Sequence, residues 1–532
     1  MRHGVWFPTV AALLLLGCER APKATSKPVV GGLGRQLVAG AAGDLRLSRG
    51  GAWAAFLRNP VRPSLQGVNA DSINPKSAVG ELMAVSLVGG EVRSVARGVG
   101  NRAGAVLFSP DGRWLLYVTD YDLAAGTGTL YTQRLDGPGE PEARGRAVSY
   151  LTVSPDGRFL AFIDAGVLKL APLAQGSTAR AVVAEVSTAK FALGGSRLLA
   201  LRRGAAGGAL LSIRTEDASA PTKLSERVAD YELSADGRHV AFTQETAASR
   251  DVWDLFVVSL EGGAAVKAAS GVGLYAFSPD GRWLGRIEGK RNAMGRVVVG
   301  ELLVGPASGS DARPLGTKVG RFGFAPDGTA LWALDLYNEQ HDRGTLLFVE
   351  LPERKVRTLA ERAHTGEWGK DGRFLAFNVE IIQPLPSMDL YLFVKGEEQA
   401  FRVKEGVYGF GIAAGALLFR SECLRQAQGD LPRACWLSEV DLKEPHAAPK
   451  QILEGIYSFK ASETGERILV SYARMDTDTY DVAVYNRATH ERKTLDTSIL
   501  LPALFADAAG KKVVYLVSER DRSGLYLCDQ GP

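Results

Sequence analysis

The chain has 532 residues, 46% apolar and 23% charged, a composition able to bury an ordinary globular core. Its formal charge of +4 is spread over the whole length without a basic stripe. This excludes a partner held by phosphate neutralisation, so no nucleic acid is expected.

Residues 1–17 read as a signal peptide. Arg2 supplies the positive start, and the apolar run from Val5 to Leu16 is too short to cross a bilayer, which needs roughly 20 helical residues. Leu15-Leu16-Gly17-Cys18 resembles the lipobox of bacterial lipoproteins. That resemblance implies cleavage before Cys18 and lipid on its thiol and amine. Residues 18–39, with Pro22, Ser26 and Pro28, then form a tether. The expected address is the bacterial cell envelope, anchored by lipid and facing the periplasm or the outside. Glu19 is not the Asp that favours inner-membrane retention, so the outer membrane is favoured.

From residue 40 onward the chain repeats. Phe108-Ser109-Pro110-Asp111-Gly112-Arg113-Trp114-Leu115 returns as Val153-Ser154-Pro155-Asp156-Gly157-Arg158-Phe159-Leu160 and as Phe277-Ser278-Pro279-Asp280-Gly281-Arg282-Trp283-Leu284. Looser copies carry Asp236-Gly237, Asp327-Gly328 and Asp371-Gly372. Pro presets φ for the first corner of a type I turn, Asp bonds back to the backbone at the second, and Gly takes the left-handed conformation that follows. These residues are expected to hold hairpins and not to form acidic sites. The flanks alternate as strands, and further hairpins such as 129–135 and 480–485 supply third strands.

Degenerate copies extend the count to about eleven units, anchored on glycines from Gly51 to Gly510. Four short strands per unit at this period describe an all-β chain of antiparallel β-propeller blades. A single ring typically holds about 4 to 8 blades, so the preferred division is two propellers, 40–268 with about five units and 269–532 with about six. One large ring is the alternative. The last unit ends on a third strand near Cys528, and Gln36-Leu37-Val38 is placed to supply its fourth, a closure that two rings in series do not explain.

At these residues the chain resembles the TolB-type propeller repeat, the Ser-Pro-Asp-Gly relative of WD repeats. The resemblance covers the chain from about residue 40 to its end and implies the fold. It does not imply a function, because such propellers serve unrelated tasks. The α/β domain of TolB-like proteins and the hydrolase domain of dipeptidyl-peptidase-like enzymes find no counterpart in this sequence.

Cys423 and Cys435 bracket a polar loop between two strands, and an exported chain favours their oxidation to a disulfide; a metal pair is the alternative, without nearby partner ligands. Cys528 is left over, within the last strand. No nucleophile elbow, zinc helix or phosphate loop is present, and the histidines after His3 form no sequence cluster. No catalytic residue, metal or cofactor is therefore assigned. Residues 476–481 open like a calcium loop but depart from its sixth and twelfth positions, Asp481 and Arg487.

The better candidate is a surface. Connections from second to third strands emerge opposite the Pro-Asp-Gly turns and read as long and varied: 58–79, 120–126, 245–251, 290–294, 337–343, 380–388 and 421–434. Large or polar residues there, Tyr121, Asp122, Arg250, Arg291, Asn292, Tyr337, Asn338 and His341, are the expected contacts for an envelope protein or peptide. The leading reading is a binding or assembly scaffold. The rivals are a propeller lyase or hydrolase with a site in the central funnel, and a regulatory propeller of a separate hydrolase.

Overall fold

The computed structural model describes residues 33–529 apart from 41, 62–77, 103, 123, 138, 205–206, 219, 247–248, 292–296, 382–386, 425–433, 475–478 and 520. Cys18 and the segment before residue 33 lie outside the described residues, as do residues 476–478 of the calcium-like segment. Among the described residues every sheet is antiparallel, and the one helical element is a single turn of 3-10 helix at Leu193–Gly195. No described helix is long and apolar enough to cross a membrane.

Four sheets have seven strands and three have four. Each seven-stranded sheet is two blades that share one long strand. Glu142–Val153, for example, is the outer strand of one blade and then the inner strand of the next. The described strands thus group into eleven four-stranded units in sequence order. The protein is a β-propeller chain, as the repeat predicts.

The eleventh unit is completed by the start of the chain. Arg35–Ala39 pairs with Gly524–Asp529, with Arg35 opposite Leu527 and Ala39 opposite Gly524. Leu33 N–H donates to Leu495 O at 2.9 Å, which ties the segment down one step earlier.

A blade alone cannot bury both faces, and each buried cluster here joins two neighbouring units. Trp114, Leu116 and Val118 meet Leu160 and Phe162 between the second and third units. Phe348 and Trp332 meet Phe377 and Phe393 between the seventh and eighth. No break in this packing marks the expected division at residue 268. Ala241, Leu255 and Val257 of the fifth unit are buried against Val272, Phe277 and Leu284 of the sixth. Val514, Leu516 and Leu525 of the last unit are buried against Ala54, Phe56 and Val85 of the first. Buried contacts thus run between the fifth and sixth units and between the last unit and the first.

Candidate functional site

The Pro-Asp-Gly turns use their polar groups internally. Ser109 Oγ donates to Asp111 Oδ1 at 2.5 Å and accepts from Trp114 N–H at 2.9 Å, while Asp111 Oδ1 also accepts from Arg113 N–H at 3.1 Å. The same three bonds recur around Ser154 with Asp156, Ser234 with Asp236, and Ser278 with Asp280. Where Ala325 replaces the serine, Thr329 Oγ1 donates to Asp327 Oδ2 at 2.7 Å instead. In the looser copy, Asp371 Oδ1 accepts from Arg373 N–H at 3.0 Å. The role of the serine was missed in the sequence, although its invariance across the close copies was the available signal.

Burial raises the Asp156, Asp236 and Asp280 carboxyls. The serine hydroxyl, the N–H two residues on and the adjacent arginine outweigh this and leave all three below the ordinary Asp value. Gly112, Gly157, Gly237, Gly281, Gly328 and Gly372 all have φ between 67° and 74°. Neighbouring turns also touch: a β-carbon at Gly281 would stand 2.8 Å from Asp236 Cγ, and one at Gly328 would overlap the Asp280 carboxylate.

On the opposite face the structure separates the candidate residues into groups. Tyr121 and Tyr337 are half-buried. A β-carbon at Gly100 would stand 2.6 Å from Tyr121 Cδ1, and one at Gly320 would overlap the Tyr337 ring. Each tyrosine therefore packs on the glycine that ends the preceding unit. Tyr337 OH also bonds Asp342, whose carboxylate lies 2.8 Å from Arg321 Nη2. Burial first, and then that carboxylate, push the Tyr337 hydroxyl up.

Asp122 and Asn338 serve their own loops. Asp122 Oδ1 accepts from the N–H groups of Ala124 and Ala125 at 2.8 and 3.0 Å; Asn338 Oδ1 accepts from those of Gln340 and His341 at 3.0 and 3.3 Å. These two loops were expected to differ. They are the same loop, built twice: Tyr121 and Tyr337, followed by Asp122 and Asn338, each stand seven residues before the matching Gly128 and Gly344. Gly126 and Asp342 take the same left-handed position, at φ 67° and 50°. The shared pattern Tyr-Asx followed by Gly-Thr-Leu was visible in the sequence. The His341 side chain is exposed. The side chains of Arg250, Arg291 and Asn292 lie outside the described residues, as do large parts of the connections 58–79, 380–388 and 421–434.

Cys423 and Cys435 are joined by a disulfide. Cys528 is buried in the ladder opposite Val513. The histidines do not converge: His446 Nε2 meets Glu397 Oε1 at 2.8 Å, and His490 Nδ1 meets Tyr485 OH at 2.9 Å. Burial lowers the His364 imidazole. Among the described residues no group of three or more His, Cys, Asp or Glu is placed to hold a metal.

One cleft lies on the inner strands, bordered by Lys370 beside the Asp371-Gly372 turn and away from the loop-face candidates. It measures about 420 Å³ and runs between the inner strand Val407–Ala413 of the ninth unit and Ser458–Ala461 of the tenth, with Glu367 and Lys370 of the eighth at one side. Phe410, Ile412, Leu418 and Phe459 form its apolar walls. Glu367 faces the opening and accepts the Ile412 N–H at 3.1 Å. The protein around it pushes its carboxyl up, and that N–H pulls the other way. Arg420 is half-buried. It donates to Tyr408 O at 3.2 Å and to Tyr457 O, and burial lowers its pKa. On the turn face, a shallower depression of about 700 Å³ is lined by Arg113, Arg158 and Glu216 among others.

No known protein family matches the chain, and no curated protein matches it. Among solved structures it is similar to the tricorn protease, at 15% identity over 93% of this chain, with a TM-score of 0.31. It spans 57% of that protease chain. It is also similar to the Dos1 propeller, at 12% identity over 69% of this chain and 95% of that one, with a TM-score of 0.36. A putative TolB from Agrobacterium tumefaciens matches at 18% identity over 42% of this chain and 83% of its own, with a TM-score of 0.26.

Proposed function

We propose that the protein is a lipid-anchored, non-catalytic scaffold of the bacterial cell envelope. In this reading it forms one ring of eleven blades and captures an envelope protein or peptide on the face opposite the Pro-Asp-Gly turns. The observation that carries this is the contrast between the faces. On the turn face each aspartate of the close copies is taken up by its own serine and backbone, and the turns are uniform. On the other face the connections range from the matched loops at 120–126 and 337–343 to the much longer 58–79. A scaffold that holds constant turns on one side and variable loops on the other has the form expected when loops bind. The lipobox at Cys18 supports the address, with the outer membrane favoured.

Within that face, the roles of Tyr121, Asp122, Tyr337 and Asn338 inside the protein leave His341, Arg250, Arg291 and Asn292 as the residues to test. Crosslinked capture from intact envelopes tests the reading. Wild-type protein is compared with Arg250→Ala/His341→Ala and Arg291→Ala/Asn292→Ala, and with the turn-face control Arg113→Ala/Arg158→Ala. Loss of a partner from the loop-face variants alone supports the proposal. Loss from the control alone moves the site to the depression lined by Arg113 and Arg158 and defeats it. Cys18→Ser is expected to move the folded protein from the membrane to the soluble envelope fraction.

A further inference from the structure

We infer that the inner-strand cleft of the eighth to tenth units is a binding site for a carboxylate borne on an apolar body. Its volume of about 420 Å³ falls in the range of small-molecule sites, roughly 300 to 1,000 Å³. The space is not a by-product of turn geometry. Gly409 and Gly411 sit within the strand Val407–Ala413 and neither has a positive φ, so the backbone does not require glycine at either position. A β-carbon at Gly411 would meet Glu367 Oε1 at 3.7 Å and Phe459 Cε2 at 3.9 Å, ordinary contact distances. A small side chain fits there, and its absence keeps the cleft open. At Gly409 a β-carbon would touch Arg420 Nη2 at 3.4 Å, which places the guanidinium across this part of the strand.

Arg420 supplies the chemistry. It commits two of its five N–H donors to the carbonyls of Tyr408 and Tyr457, and among the described residues no carboxylate pairs with it. A half-buried guanidinium answered only by neutral carbonyls retains an unmet attraction for an anion. Lys370 and Lys460 border the same cleft. Glu367 and Glu463 border it too, which disfavours a dianion such as phosphate and favours a single negative charge. Phe410, Phe459, Ile412 and Leu418 provide an apolar lining for the rest of the ligand. This site is independent of the loop-face scaffold reading, and either can fail without the other. Its ligand is either a free organic acid or the C-terminal carboxylate of a peptide.

The test is calorimetry on the intact protein with four probes: 3-phenylpropanoate, 3-phenylpropanamide, and acetyl-Ala-Ala-Phe with a free or an amidated C-terminus. At least one acid is expected to bind, with its amide weaker by about tenfold or more. Binding of the small acid alone identifies a free acid as the source, and binding of the peptide acid identifies a chain terminus. Gly411→Leu fills the cleft while leaving Arg420 in place and is expected to abolish binding with the melting temperature kept. Arg420→Met is expected to erase the difference between acid and amide. Equal binding of acid and amide, unaltered binding in folded Gly411→Leu, or no binding of any probe overturns the inference.

Discussion

The carboxylate of Asp280 rests against Gly328, the glycine of the next turn along the chain, and the same carboxylate holds its own turn through Ser278. Each such aspartate therefore does two jobs, closing one hairpin and packing on its neighbour. Gly328→Ala is expected to cost more than the left-handed φ alone explains, because the added carbon also strikes Asp280. Strain of this kind is worth about 1 to 3 kcal/mol. Combining it with Asp280→Ala is expected to recover part of the loss in thermal melts. Additive losses in the double variant would show that the two turns do not communicate.

Acid should loosen these turns. The Asp156, Asp236 and Asp280 carboxyls lie below the ordinary Asp value, so protonation favours the unfolded chain. Their stabilisation is present above about pH 4 and is lost as the pH falls through the folded values. Melting temperature is expected to drop in that window. In the triple variant Asp156→Asn/Asp236→Asn/Asp280→Asn the drop should be shallower, from a lower starting point. An identical acid profile in wild type and variant would remove these groups from the account.

Tyr337 is expected to matter for stability before binding. Its ring lies on Gly320 and its hydroxyl on Asp342, so Tyr337→Ala leaves a cavity and leaves the Asp342 carboxylate with Arg321 but without the hydroxyl. Removing a large aromatic from such a site costs about 3 kcal/mol or more when fully buried, and less here because the residue is half-exposed. The matching change Tyr121→Ala should behave alike. Urea titrations of the two variants, read against His341→Ala, separate the packed positions from the exposed one.

Cys423 and Cys435 should remain bonded in exported protein, and non-reducing peptide mapping checks it. Closing so short a loop contributes about 3 kcal/mol in the chain-entropy model. Cys423→Ser/Cys435→Ser is thus expected to lower the melting temperature without unfolding the ring. Recovery of a Cys528 disulfide would contradict the pairing.

The repeat itself was legible because Pro-Asp-Gly chemistry is local: Asp111 and Gly112 announce their turn whatever surrounds them. The expected unit count was drawn from the same glycines. How the units divide into rings is not local in this way, because it depends on which apolar faces meet. Ala241 with Leu284, and the far more distant Leu516 with Phe56, share buried clusters between units that no period records. The loops 120–126 and 337–343 join second to third strands of their units, yet nothing in the sequence marks Tyr121 and Asn338 as occupied within the protein. Their partners, Gly100 and the Gln340 backbone, become visible only once the preceding unit and the loop turn are in position. The inner-strand cleft left no motif because its makers, Gly409, Gly411, Arg420 and Phe459, come from three separate strands.

The strand Arg35–Ala39 has one more consequence. It lies directly after residues 1–34 and is also the piece that seals the last unit, with Val38 buried beside Leu525 and Leu527. Any pull on the N-terminal segment therefore reaches the fold first at its seam. A strand peeled from Gly524–Asp529 would expose a fresh pairing edge and uncover the apolar contact between the last and first units. Tension at the start of the chain and integrity of the join between its last and first units are thereby one mechanical quantity.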